Sequence, residues 1–140
     1  MNKPRTVVTF HSEQFNSTVV RPYFLNTLSF GDDVAQHIVY ELRRRGYRAD
    51  EPAQEDFGWY FRFWAGGSAH LFVIGRRPVE GDWLGSIERV PFLLLKRSVD
   101  LAAAQAIQDA LEDREIFQSL RWHFAEVFDS GDEESGATSP

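Results

Sequence analysis

The chain has 140 residues, with 21 acidic and 15 basic side chains, a net charge of −6 and no cysteine. Its length fits one domain, able to bury roughly two thirds of the surface its unfolded chain exposes, and a content 43% hydrophobic and 14% aromatic excludes a disordered chain. The missing cysteine excludes a disulfide scaffold, a thiolate metal site and a Cys nucleophile.

Thr6 to His11 is rich in β-branched residues and predicts a first strand. A turn at Asn16-Ser17 separates it from Thr18-Val-Val-Arg and Tyr23-Phe-Leu-Asn26, which read as a second strand bent at Pro22, the two forming a hairpin. Val34, Ala35, Ile38, Val39 and Leu42 recur at helical spacing and predict a helix over 33–45. Asp32 is its expected N-cap, Arg43-Arg-Arg45 complements the dipole at the last turn, and Gly46 suits the left-handed position after it.

Asp50 to Asp56 reads as a polar loop. It leads into a strand with Phe57, Trp59, Phe61 and Phe63 on one side and Gly58, Tyr60, Arg62 and Trp64 on the other. Gly66-Gly67 marks a hairpin turn, with His70 to Gly75 as the return strand. Trp83 to Glu88 follows as a further strand, then a short apolar piece at 92–95 whose type the pattern leaves open. Asp100 opens a second helix, with Ser98 as competing cap and Ala103, Ile107, Ala110 and Leu111 as its stripe. From Ile116 both periods fit; the favoured reading is a short strand through Trp122 and then a frayed helical turn.

This order argues for α+β: a single two-layer domain, a mainly antiparallel sheet with two helices packed on one face. The domain spans residues 1–128, which hold 17 acids and 15 bases. Residues 129–140 hold four acids, no base and no bulky apolar side chain, and predict a disordered acidic tail. No apolar run is long enough to span a bilayer and no apolar stretch follows the basic N-terminus, so a cytoplasmic protein without a membrane partner is expected.

The chemistry is concentrated at residues 50–62. Glu51, Glu55 and Asp56 sit beside aromatics at a strand entrance, where carboxylates can serve as acid and base or hold a hard cation. The plainer reading is a solvated loop whose acids pair with arginines. The four histidines share no zinc spacing, and no nucleophile-elbow, phosphate-loop or dinucleotide pattern occurs, so no metal, cofactor or catalytic residue is assigned. A near-neutral body argues against nucleic acid. Tyr60, Arg62, Trp64 and Trp83 form an aromatic and basic patch if their face is open, and Trp64 and Trp83 could seal a homodimer.

Two motifs carry a resemblance. Phe30-Gly-Asp-Asp-Val-Ala35 with Leu42 and Gly46, followed by Glu51-Pro-Ala-Gln-Glu-Asp-Phe-Gly-Trp59, resembles a group of small uncharacterised bacterial α+β proteins. These share a Phe-Gly-x-Asp helix start and a Glu-Asp-x-Gly-Trp strand entrance. The similarity spans roughly residues 23–88 and implies a cytoplasmic domain of no assigned activity.

The favoured expectation is a non-enzymatic domain binding a protein partner or small ligand through Glu51, Gln54, Glu55, Asp56, Trp59, Tyr60 and Arg62. The alternatives are a small carboxylate- or metal-dependent hydrolase using Glu51, Glu55, Asp56 and His70, and an immunity protein whose acids cover a basic toxin site.

Overall fold

A computed structural model describes residues 3–56, 58–90 and 98–140. Phe57 and the apolar piece at 92–95 lie outside the described residues. The chain is α+β, with a seven-stranded antiparallel sheet and three helices among the described residues.

The centre of the sheet is a meander of β4 (Gly58–Ala65), β5 (Ser68–Arg76) and β6 (Asp82–Arg89). Gly66 and Gly67, at φ 63° and 80°, close the first hairpin as expected, because a two-residue turn that matches strand twist needs positive φ at both positions. β1 (Val7–His11) lies between β6 and β7 (Gln118–His123), antiparallel to both. β2 (Arg48–Ala49) and β3 (Ala53–Glu55) both pair with β4, giving the order β2-β4-β5-β6-β1-β7 with β3 beside β4.

Register decides which residues share a face. Trp59, Phe61 and Phe63 stand opposite Ile74, Phe72 and His70, and Phe72 stands opposite Ile87. On β1, Val8 and Phe10 join them opposite Gly85 and Trp83. The apolar side chains among these are buried in one core cluster with Val34, Ile38 and Leu42 of α1 (Asp32–Arg44) and Ala103, Ala106 and Ile107 of α2 (Leu101–Ala110). The two helices touch each other and β4. Each fully buried large side chain contributes about 1.5–3 kcal/mol.

Helix α1 ends as its sequence predicts. Gly46 takes φ 92°, its N–H bonding Arg43 O and that of Tyr47 bonding Leu42 O. The start differs from expectation. Gly31 holds the cap position at φ 131°, its carbonyl accepting Ala35 N–H, while Asp32 is the first helical residue and is buried. Its carboxylate turns away from the helix end to Arg21 Nε at 3.0 Å and to the Tyr23 hydroxyl.

Three further expectations are corrected. Residues 12–30 form no strand, and β1 pairs with β6 and β7 instead of a following hairpin arm. β-Propensity measures fit to a half-buried surface, and both edges of β1 are already taken. Asn16 organises the segment instead: its Oδ1 accepts Val19 N–H at 2.8 Å and its Nδ2 donates to Val19 O at 2.7 Å. Next, the polar stretch 50–56 contains β3, recruited by the open side of β4. Last, Trp83 lies on the core face, fully buried, with Nε1 donating to Ser12 O at 3.2 Å. It can neither join the Tyr60, Arg62 and Trp64 face nor seal a homodimer.

Beyond β7 the chain forms α3 (Ala125–Asp129), the helical turn expected there. Residues 129–140 then run back beside β7. Ala137 exchanges both backbone hydrogen bonds with Trp122, at 2.6 and 2.8 Å, and Glu133 pairs with Arg77 at 2.7 Å. The partners here are backbone groups of a strand edge and the side chains of Arg77, Arg121 and Gln108, so polar contacts place the segment.

Candidate functional site

Ser29 joins the two motif segments. Its carbonyl accepts the Trp59 indole N–H and a Gln54 amide N–H, both at 3.0 Å. Its hydroxyl lies 2.8 Å from Glu55 O and 2.9 Å from Gly58 O. Gln54 also donates to Asn26 O at 2.7 Å and accepts the N–H groups of Leu25 and Asn26. Asn26 Nδ2 donates in turn to Asp56 O at 3.0 Å. The loop before α1 is thus fastened to the β3–β4 corner by side chains whose hydrogen-bonding capacity is nearly filled. Gly58 is required there, because a Cβ would collide with the Ile74 carbonyl.

The expected site residues divide into three groups. Gln54 and Trp59 are structural: one clamps the loop, the other is buried in the core. Glu51 turns to α1, accepting from Arg43 Nη1 at 2.9 Å and Gln36 Nε2 at 3.2 Å, and the Arg43 hydrogen bond holds its carboxyl below the usual range. Glu55 and Asp56 remain exposed at the corner. Tyr60 and Arg62 stand on the opposite sheet face, where Tyr60 is half-buried opposite Ala53 and Arg62 is exposed. Trp64, on that same face, is covered by the Arg48 guanidinium at 3.9 Å from its ring centre.

His70 does not meet these carboxylates. It is fully buried opposite Phe63, with Nδ1 3.2 Å from Ser68 O and Nε2 3.3 Å from the backbone N–H of Asp100. The partners assign the proton to Nδ1 and leave Nε2 to accept at the start of α2. Burial holds its pKa below the ordinary value, so the ring is neutral. Among the described residues no group of three His, Asp or Glu is placed to hold a metal ion, and no helix is long and apolar enough to cross a membrane.

Exposed apolar side chains surround the corner. Leu25 is 89% and Leu28 75% exposed, and Val19, Val20 and Tyr23 are open as well. The Tyr23 ring packs edge-on to Phe24 and Trp59 while its hydroxyl donates to Asp32. Burial, followed by the Asp32 bond, raises its pKa. Sequence reasoning missed this surface because β-branched and aromatic content read as a strand. Pro22 was the available signal against a central strand.

A second polar place lies on the far face of the β1–β6 pair. A cavity of about 310 Å³ is lined by Thr9, Phe10, His11, Arg77, Asp82 and Ser119. His11 Nδ1 lies 2.7 Å from Asp82 Oδ1, and that hydrogen bond raises the histidine pKa. Comparison with protein-family models, curated proteins and solved structures gives no match to this chain.

Proposed function

We propose that this chain is a non-enzymatic, cytoplasmic bacterial binding domain of two layers, α1 and α2 covering the Trp59–Phe63 face. Its surface for a protein partner is the corner where residues 19–28 meet Glu55 and Asp56. The observation that carries this reading is the Ser29–Gln54 junction, which fastens a loop bearing exposed Leu25 and Leu28 beside the exposed carboxylates of Glu55 and Asp56, which have no ion-pair partner among the described residues. An apolar centre with a charged rim is the composition of a binding surface. A loop already tied in place loses little conformational freedom on association.

The partner's chemistry follows from the surface. It presents an apolar hollow to Leu25 and Leu28 and Lys or Arg to Glu55 and Asp56, since complementary rim charge speeds encounter and fixes orientation. A toxin with a basic active face fits that description. The expected outcome is that Leu25→Ser with Leu28→Ser weakens binding of a purified partner by about ten-fold or more. Glu55→Lys with Asp56→Lys slows association and inverts its salt dependence. Surface plasmon resonance across a salt series reads both. Unchanged binding in both double variants, with unchanged circular dichroism, overturns the assignment.

A further inference from the structure

The face of the sheet opposite Phe61 carries a feature unrelated to the Ser29 corner. On the β1–β6 pair, His11 faces Asp82, Thr9 faces Leu84 and Val7 faces Ser86. Alternate residues share a face, so these three rungs form one continuous track. A polar cavity of about 310 Å³ occupies its His11 end. An apolar one of about 280 Å³ occupies its Val7 end, walled by Val7, Val73 and Leu84 and roofed by Phe128 of α3.

His11 and Arg77 stand at the polar end, and each already faces a carboxylate from a neighbouring segment. Glu13, largely exposed, reaches to 3.7 Å from His11 Nε2. Glu133, from the segment after α3, lies 2.7 Å from Arg77 Nη2. Asp82 Oδ1 accepts from His11 Nδ1–H and orients the ring, so that Nε2 faces Glu13 and donates from the protonated ring. Gly81, at φ 86°, makes room for that ring, since a Cβ there would lie 2.6 Å from its Cε1. Ser119, with φ 55° the one non-glycine residue in the left-handed region among the described residues, brings a hydroxyl-bearing side chain to the same cavity at a break in the β1–β7 register.

We propose that the two cavities form one site for a small amphipathic carboxylate, a medium-chain or aryl acid. Its apolar body lies against Val7, Val73 and Leu84 beneath Phe128. Its carboxylate lies between His11 and Arg77, in the places Glu13 and Glu133 occupy in the free protein. Asp82 orients His11, and Asp129 stays at the rim of the apolar cavity. Pockets of this kind combine an apolar lining with a few convergent polar groups, and guanidinium is suited to carboxylate.

The test is methyl and imidazole NMR on the full chain, titrated with sodium octanoate, octan-1-ol and sodium acetate. Octanoate should give saturable shifts at the Val7, Val73 and Leu84 methyls and the His11 ring, with octan-1-ol and acetate about ten-fold weaker. Arg77→Gln should weaken octanoate by about ten-fold and leave octan-1-ol unchanged. Glu133→Gln, which frees Arg77, should tighten octanoate about three-fold, a change opposite to that of structural damage. Equal binding of octanoate and octan-1-ol, weaker octanoate binding by Glu133→Gln, or shifts confined to the Leu25–Leu28 corner overturns the proposal.

Discussion

At the scale of single residues, three histidines have pKa values shifted from the ordinary 6.5. His70 and His123 are buried, and burial is the first cause that lowers both pKa values below the ordinary 6.5. His123 Nε2 lies 2.9 Å from the Thr9 hydroxyl, a buried hydrogen bond. A lowered native value means that the unfolded chain takes up protons first. The stability these two residues contribute is therefore complete above 6.5 and declines as pH falls toward their native values. His11 acts in the opposite sense. Its value is raised, chiefly by the Asp82 hydrogen bond, so its contribution is full below 6.5 and lost as pH rises through the raised value. The unfolding free energy should thus fall as pH drops below 6.5, and His11→Asn should remove the loss of stability that accompanies a rise of pH above 6.5. Urea unfolding at several pH values measures both. A rise in stability on acidification contradicts the neutral assignment of the buried pair.

At the scale of elements, the corner depends on a few hydrogen bonds between segments about thirty residues apart. Ser29→Ala removes the hydroxyl shared by Glu55 O and Gly58 O. It should cost about 1–2 kcal/mol in urea unfolding and speed amide exchange at Leu25 and Asn26 more than in β5. Uniform exchange across the chain would mean that the loop is not fastened there. The elements legible in the sequence were those with a complete local signal. α1 had its apolar spacing and Gly46, and β4 and β5 had alternation around Gly66-Gly67. β2 and β3 were hidden because strands of two and three residues hold too little alternation, and they exist because β4 offers them an edge. Trp83 was placed on the wrong face because its side depends on register against Phe10 and Arg76, which no local pattern encodes.

Across the whole molecule, the candidate site was legible by location and not by role. The stretch 50–59 does lie at a distinctive corner, yet Gln54 and Trp59 serve the architecture and Glu51 serves α1, while Glu55 and Asp56 are exposed there with no side-chain partner among the described residues. The apolar half of the surface comes from residues 19–28, whose nearness to that stretch is a product of the fold. The charge of −6 divides in the same way: the four acids of residues 129–140 lie beyond the corner in sequence, with Glu133 bound to Arg77 on another face. The central claim is that Leu25, Leu28, Glu55 and Asp56 form one docking surface. Site-specific photo-crosslinking in the source cell tests it most directly, with benzoylphenylalanine placed at Leu25, at Leu28 and, as an exposed control, at Leu101. A single discrete adduct from positions 25 and 28, absent from position 101 and abolished by Glu55→Lys with Asp56→Lys, is the result this account predicts. The same adduct pattern from all three positions, or adducts at 25 and 28 that survive the charge reversal, would contradict it.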